Sequence, residues 1–140
     1  MERGEVYKVI IVDDNKAFIE AVNLLFDKMP QFEVICCAYD GAEIVDHPEL
    51  VNADLLLIDV NMPVLDGIAA GCQINYKRPD LKMVAVTLNC DRVYLEELIR
   101  AGFNGFIDKT KIVTSLPQVL SAVMNNKYVF PKDILVSMRS

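Results

Sequence analysis

Short apolar runs recur at regular intervals along this chain, and they constrain its fold more than any other feature. Within each run the apolar residues are consecutive rather than alternating, which is typical of strands covered on both faces in a parallel sheet. The segments between the runs have helical spacing, as in Phe18, Val22, Leu25 and Met29. The runs are Val9 to Val12, Phe32 to Ala38, Leu55 to Ile58, Met83 to Val86 and a weaker Phe106-Ile107. This alternation predicts a doubly wound α/β domain.

The length and the charge of the chain limit what it can do. Its 140 residues suffice for one core, which we expect within residues 1–127, with 128–140 as a tail or the start of a linker. No apolar stretch approaches the ~18 residues of a membrane helix, and the N-terminus lacks a secretory signal, so we expect a cytoplasmic protein without a membrane partner. The net charge of −6 argues against nucleic acid as a partner of this segment.

Local signals predict where the helices begin and where one is interrupted. His47-Pro48 falls within the predicted second helix, and because an interior proline costs about 3 kcal/mol we expect that helix to be short or broken. Residues that favour helix N-termini mark the starts of four other helices. These proposed caps are Asp14-Asn15, Asp66, Cys90-Asp91 and Thr114-Ser115.

The cysteines do not form a metal-binding pattern. The chain has four, with no C-x-x-C spacing, and it has a single histidine. A zinc site needs paired, spaced ligands. We therefore expect buried free thiols at Cys36, Cys37, Cys72 and Cys90.

Polar residues follow the predicted strands at their carboxyl ends, where open parallel sheets bind ligands. Asp13-Asp14 follows the first run, Asp59 the third, Thr87 the fourth and Lys109 the fifth. If the strand order is 2-1-3-4-5, strands one and three are neighbours and three carboxylates share one pocket. Like charges at close range are costly, and a hard cation such as Mg²⁺ relieves them. Lys109 adds a positive charge suited to a phosphate oxygen, and Asp59 is placed as a nucleophile.

These residues, in this order and spacing, resemble the response-regulator receiver family of two-component signalling. The resemblance covers roughly residues 6–127. It implies a flavodoxin-like, five-stranded parallel sheet of order 2-1-3-4-5 with helices on both faces. The motifs that carry it are Val12-Asp13-Asp14, Asp59-Val-Asn61-Met-Pro63 with Asp66-Gly67, Thr87, and Gly105-Phe106-Ile-Asp-Lys109.

The resemblance implies that Asp59 accepts a phosphoryl group from a sensor histidine kinase or a phosphotransfer protein. It implies Mg²⁺ or Mn²⁺ as the cofactor, held by Asp13, Asp14, Asp59 and the backbone carbonyl of Asn61. No enzymatic activity is implied beyond the chain's own phosphoryl transfer and dephosphorylation.

Two further roles are implied by the same resemblance. Thr87 and Lys109 bind phosphoryl oxygens, and Thr87 acts with Phe106 as a conformational switch. The switch changes the surface formed by the fourth helix, the fifth strand and the fifth helix, a face that also allows a homodimer. The last segment weakly resembles the connector of LuxR-type helix-turn-helix regulators, which implies transcriptional output through another domain; a stand-alone receiver remains the alternative.

Two positions depart from the family pattern. Leu88 stands where a small residue is usual, so it is expected to crowd the phosphoryl site and to alter phosphorylation kinetics. Thr110 replaces the proline that commonly follows the lysine, and a cis bond to a non-proline residue would cost about 2.5–4 kcal/mol. These departures keep open a degenerate receiver that acts only as a protein-interaction module.

Simpler roles and one other function class were also considered. Asp13 and Asp14 are suited to capping the first helix, Thr87 and Lys109 to being ordinary surface residues, and Phe106 to core packing. A phosphatase with an aspartyl intermediate is disfavoured, because it places a second acid two residues after its nucleophile and this chain has Asn61 there.

Overall fold

In the computed structural model, which describes residues 6–62 and 65–138, five parallel strands form one sheet. Their order is β2-β1-β3-β4-β5, so the predicted order and the predicted α/β class are confirmed. Each strand contains the apolar run from which it was predicted. The strands are β1 Tyr7–Val12, β2 Phe32–Ala38, β3 Leu55–Asp59, β4 Lys82–Thr87 and β5 Gly105–Asp108.

Helices cover both faces of the sheet, as the consecutive apolar runs predicted. Alternate strand residues point to opposite faces, so β1 sends Ile10 and Val12 into one apolar cluster and Val9 and Ile11 into the other. The helices are α1 Lys16–Phe26, α2 Gly41–Val45, α3 Gly67–Lys77, α4 Arg92–Ala101, α5 Ile112–Met124 and α6 Lys132–Ser137. Buried residues of α2, α3 and α4 belong to the first cluster, and those of α1 and α5 belong to the second.

Most of the predicted helix boundaries are confirmed. Asn15 caps α1 and Asp66 caps α3 through their side chains, and Asp91 occupies the N-cap position of α4 without a side-chain cap bond. The second helix is short, and a 3-10 helix from Pro48 to Asn52 follows it. The predicted cap at Thr114-Ser115 is wrong, because α5 begins at Ile112, directly after a 3-10 turn over Lys109–Lys111.

The segment after α5 packs against the domain. Val129 forms a parallel bridge with Gly105 of β5, and Phe130 and Ile134 are buried in the cluster beneath α4. Arg92 of α4 donates to Asp133 at 2.9 Å and to the hydroxyl of Ser137 at 2.9 Å. Residues 128–138 thus lie beside β5 and α4.

The expectation of buried thiols is only partly met. All four cysteines are free, but Cys72 and Cys90 are exposed, while Cys36 and Cys37 are partly buried. Cys72 lies in the middle of α3 on its exposed side, and Cys90 lies in the loop before α4. In the described part of the chain, no helix is both long enough and apolar enough to cross a membrane.

Candidate phosphoryl and metal site

The polar residues predicted to converge do so at the carboxyl edge of the sheet. Asp13 follows β1 and Asp59 ends the adjacent β3, so parallel pairing of these strands brings the two carboxylates to one edge. Thr87 ends β4 one position beyond Val86, the partner of Asp59. Lys109 follows β5, which pairs with β4. The connectivity of the sheet therefore creates the cluster from residues far apart in sequence.

Three carboxylates form the floor of the site. One oxygen from each of Asp13, Asp14 and Asp59 lies within 4.8 Å of the others. Asp13 and Asp59 are buried, whereas Asp14 is exposed and leaves one side open. Carboxylate oxygens at this spacing suit a small hard cation, which keeps several waters on its open side. The donor set fits Mg²⁺ or Mn²⁺.

Lys109 supplies the positive charge of the site. Its Nζ lies 3.1 Å from Oδ2 of Asp13 and 3.3 Å from Oδ2 of Asp59. Its side chain is 19% exposed, so these ion pairs are partly shielded from water. The ammonium therefore bridges the two buried carboxylates and stands beside the predicted phosphoryl acceptor.

Burial and charge shift the pKa values of two of these groups. Burial raises the pKa of Asp13, and the neighbouring Asp59 carboxylate adds to this, while the Asn15 N–H and Lys109 act in the opposite direction. For Lys109, burial alone would lower the pKa, but the Asp13 and Asp59 carboxylates outweigh it and hold the pKa above its ordinary value. Asp13 thus carries an electrostatic cost, and Lys109 remains a cation.

Backbone groups orient the two buried carboxylates. The N–H of Asn15 donates to Oδ1 of Asp13 at 2.8 Å, and the N–H of Asn61 donates to Oδ1 of Asp59 at 3.0 Å. Asn61 is exposed, and its side-chain amide donates to the hydroxyl of Tyr94 at 3.4 Å. Each carboxylate therefore keeps one oxygen fixed by the backbone and turns the other toward Lys109.

Gly67 makes the loop after Asp59 possible. A Cβ at this position would lie 2.5 Å from the carbonyl oxygen of Asp59 and 2.6 Å from the Cα of Val60. The start of α3 consequently approaches the end of β3 more closely than any side chain allows. Pro63 of the same motif lies outside the described residues.

The predicted switch residues are Thr87 and Phe106. Within the described part of the chain, Thr87 makes no hydrogen bond to the carboxylates, and Phe106 makes a ring contact elsewhere. The hydroxyl of the buried Thr87 donates to the carbonyl of Asn89 at 3.0 Å and accepts from its N–H at 2.9 Å. Phe106, on β5, is partly buried and stacks on Phe130. The Thr87 hydroxyl is therefore engaged with its own loop in this state.

The two positions that depart from the family pattern directly follow two predicted site residues, Leu88 after Thr87 and Thr110 after Lys109. The side chain of Leu88 is 66% exposed. Thr110 bonds to Asp108 through both its N–H and its hydroxyl, at 3.0 and 2.7 Å. Among the described residues there is no cis peptide bond. Thr110 thus closes the 3-10 turn that carries Lys109.

Sequence reasoning missed one contact of the site. Phe18 was taken only as a residue of the apolar face of α1, but its ring lies under the ammonium of Lys109, with Nζ 4.4 Å from the ring centroid. The available signal was its place in the first turn of the helix that follows Asp13-Asp14. No sequence pattern, however, pairs it with a lysine 91 positions later.

Comparison with known proteins identifies the fold and the family. The family model described as the response regulator receiver domain matches residues 9–121. The chain belongs to the response regulator receiver family. Residues of this receiver domain that were predicted from the family motifs, from Asp13 to Lys109, fall within the matched range.

Two similar proteins are named as regulators and are longer than this chain. The transcriptional regulatory protein DegU of Brevibacillus brevis is 29% identical over 89% of this chain and 53% of its own length. The glycerol metabolism activator of Pseudomonas putida is 27% identical over 96% of this chain and 62% of its own length. The receiver domain thus spans between half and two thirds of the length of these relatives.

Solved structures share the fold. The isolated receiver domain of RcsB from Salmonella enterica serovar Typhimurium, determined with the phosphomimetic BeF3⁻, superimposes with a TM-score of 0.82 at 22% identity, covering 93% of this chain and 96% of that one. At this identity the similarity establishes the flavodoxin-like architecture.

Proposed function

We propose that this receiver domain is switched by phosphorylation of Asp59, with a histidine kinase or a phosphotransfer protein as the donor. The observation that carries the proposal is the setting of the Asp59 carboxylate. One oxygen is held by the Asn61 N–H at 3.0 Å and the other lies 3.3 Å from the Lys109 ammonium, among three acids at the open edge of the sheet. The Asn61 N–H thus orients the Asp59 carboxylate, and the Lys109 ammonium places a positive charge beside it.

The chemistry follows from positioning and charge. An Asp59 oxygen attacks phosphorus, the bond from phosphorus to the donor's nitrogen or oxygen breaks, and the leaving group takes the electron pair and a proton from solvent. The product is an acyl phosphate on Asp59. Lys109 neutralises charge on an equatorial phosphoryl oxygen, and the Thr87 hydroxyl, released from Asn89, donates to another. The chain catalyses only this transfer and the hydrolysis of the acyl phosphate, in which water attacks phosphorus, the bond to Asp59 breaks and inorganic phosphate leaves.

A divalent cation, Mg²⁺ or Mn²⁺, completes the proposal. Asp13, Asp14, Asp59 and the backbone carbonyl of Asn61 would hold it. When bound, it supplies positive charge to the phosphoryl oxygens during transfer. The cluster of three carboxylate oxygens within 4.8 Å supports this assignment.

The output is proposed to be transcriptional. The new charge on Asp59 would shift an existing equilibrium in which Thr87 and Phe106 move and the α4-β5-α5 face changes, allowing a homodimer. The relative DegU is named a transcriptional regulatory protein and is longer than this chain. An output domain outside this chain, of the LuxR type, would then contact DNA, since this segment carries a net charge of −6. A cytoplasmic location is part of this proposal.

The proposal is tested by phosphoryl incorporation. Wild type incubated with acetyl phosphate and Mg²⁺ should gain one phosphoryl group by intact mass, and Asp59→Asn should gain none. Asp27→Asn is the matched control, since Asp27 is an exposed acid at the far end of α1 and should label like wild type. Equal labelling of wild type and Asp59→Asn would overturn the assignment. An unlabelled wild type would instead indicate an interaction module that lacks the switch.

A further inference from the structure

The Lys109 ammonium has a third neighbour besides the two carboxylates. Its Nζ lies 4.4 Å from the centroid of the Phe18 ring, which is within the range of a cation–π contact. Phe18 is partly buried in the first turn of α1, and Lys109 is 19% exposed. At such a site the attraction between the ammonium and the ring face is screened less than it would be in water.

The position of the ring is fixed from the same short segment that carries Asp13. The N–H of Asn15 donates to Oδ1 of Asp13, and the side-chain oxygen of Asn15 accepts from the N–H of Phe18 at 3.2 Å. Lys109 then joins the Phe18 ring to Oδ2 of Asp13, at 3.1 Å. These four contacts link Asp13, Asn15, Phe18 and Lys109 in a ring. Because the two contacts made by Asn15 are local to one short segment, the backbone of that segment sets the distance between the Phe18 ring and Asp13.

The ring differs from the other two partners of Lys109 in its chemistry. A bound cation neutralises part of the charge on both carboxylates, and phosphorylation converts the Asp59 carboxylate to an acyl phosphate. The attraction of each for the Lys109 ammonium therefore changes with the state of the site. A phenyl ring neither binds a hard cation nor accepts a phosphoryl group. Of the three contacts of the Lys109 ammonium, the contact with the Phe18 ring is therefore the one whose attraction does not change on cation binding or phosphorylation.

We propose that Phe18 is a positioning residue for phosphoryl transfer, which holds the Lys109 ammonium beside Asp59 through the face of its ring. This inference rests on the proposed function of Asp59 as phosphoryl acceptor. Among the described residues a second lysine lies over a ring, Lys16 above Tyr39 at 5.3 Å, but only Lys109 forms ion pairs with Asp13 and Asp59. The Phe18 contact therefore has a role at the site that the other lacks.

Phe18 also packs against the apolar cluster of α1 and α5, so its removal alone does not separate the two roles. A fluorinated series separates them, because successive fluorines withdraw electrons from the ring face while its shape changes little. We would incorporate mono-, di- and trifluorinated phenylalanine at position 18. The matched control is the same series at Phe26, which is 5% exposed on the same helix and belongs to the same cluster.

Two measurements apply to each variant. The first is the initial rate of Asp59 labelling by acetyl phosphate at saturating Mg²⁺. The second, without metal or donor, is the NMR order parameter of the Lys109 Cε methylene group, which reports how firmly the ammonium is held. Phe18→Leu and Phe18→Trp accompany the series, since leucine keeps apolar packing without a ring and tryptophan provides a stronger ring face.

The expected result is a graded loss at position 18 alone. The logarithm of the rate should fall steadily with fluorination, by about three- to tenfold at the trifluoro variant, and the order parameter of Lys109 should fall with it. Phe18→Leu should be at least as slow, Phe18→Trp should retain the rate, and the Phe26 series should be flat.

Other outcomes separate the positioning role of Phe18 from the proposed phosphorylation of Asp59. Flat rates and order parameters across the Phe18 series, or equal slopes at Phe18 and Phe26, would overturn the positioning role. An unlabelled wild type would refute the proposed function, while the order parameter would still decide whether the ring holds Lys109.

Discussion

The rings of Phe106 and Phe130 are stacked, with 5.6 Å between their centroids and 24° between their planes. Phe106 belongs to β5, whereas Phe130 belongs to the segment that follows α5. Phe130 is 7% exposed and joins the apolar cluster beneath α4, together with Ile134. This contact connects the predicted switch aromatic to the segment that was predicted as a tail.

Because Phe130 is buried, its truncation should destabilise the domain. We expect Phe130→Ala to lower the free energy of unfolding by about 3–5 kcal/mol, the usual cost of removing a buried aromatic side chain. Tyr128→Ala is the control, since Tyr128 is 61% exposed and surface changes usually stay within about 0.5 kcal/mol. Urea denaturation followed by circular dichroism measures both. Equal stabilities of the two variants would mean that the segment is a detached tail.

Replacement of Asp14 should weaken cation binding. Asp14 is the exposed member of the three-acid cluster, so Asp14→Ala removes a predicted ligand without opening the core. Calorimetric titration with Mg²⁺ should give a clear loss of affinity relative to wild type. Asp91→Ala removes an exposed acid whose side chain makes no cap bond, and it should bind like wild type. Unchanged affinity in Asp14→Ala would refute this metal assignment.

The raised pKa of Asp13 has a consequence for stability. A group whose pKa is higher when folded holds its proton longer in the native state, so stability falls as pH rises above its ordinary value of 3.8. Asp13→Asn lacks this titration. In the presence of a chelator, we expect the unfolding free energy of Asp13→Asn minus that of wild type to increase between pH 3.5 and pH 7.

Urea denaturation at several pH values measures that difference. Asp46→Asn provides the comparison, because the Asp46 side chain is 85% exposed and its pairing with Lys77 is screened by solvent. A difference for Asp13→Asn that is constant or falls with pH would show that Lys109 fully compensates the buried charge.

Leu88 is predicted to prolong the phosphorylated state. A branched side chain directly after Thr87 is expected to hinder a water molecule from aligning with the phosphorus for in-line attack. Leu88→Ala should therefore shorten the lifetime of phospho-Asp59 while the Mg²⁺ requirement remains, and loading and hydrolysis rates should be measured separately. Val93→Ala is a close control, since Val93 is 67% exposed and Leu88 is 66% exposed. If the lifetime is unchanged or longer in Leu88→Ala, the side chain does not shield the site.

Gly67 is expected to tolerate no side chain. A Cβ there meets backbone atoms of Asp59 and Val60, which cannot move without moving the acceptor loop. We expect Gly67→Ala to lower the free energy of unfolding by about 1–3 kcal/mol and to slow labelling of Asp59. At Gly71 the nearest atoms to a Cβ belong to the ring of Phe103, a side chain rather than the backbone of the acceptor loop, so Gly71→Ala should cost less. The reverse order in thermal denaturation would contradict this account.

The sheet and the members of the site could be predicted because their signals are local. Consecutive apolar residues such as Leu55 to Ile58 indicate a strand covered on both faces, and an acid placed directly after such a strand lies at the carboxyl edge. Strand order then brings Asp13, Asp59 and Lys109 together. The break of the second helix at His47-Pro48 is local too, because proline removes a donor from its own turn.

Other features depend on contacts between residues that are distant in sequence. The start of α5 was misplaced because the 3-10 turn that holds Lys109 runs directly into the helix, so no capping residue is needed at Thr114. The burial of Phe130 and the exposure of Cys72 depend on which neighbouring element covers each position.

The sequence by itself determined the positions of the strands and of the acidic residues at their carboxyl ends, since these follow from local periodicity. Only the tertiary structure decided that the ring of Phe18 lies 4.4 Å from the Lys109 ammonium and that Phe130 stacks on Phe106. An aromatic residue occupies the same place in the apolar sequence pattern whether its ring contacts a cation, another ring or the aliphatic core. Which of these they meet is fixed by the packing of helices across the sheet, and that packing depends on side-chain shape rather than on spacing along the chain.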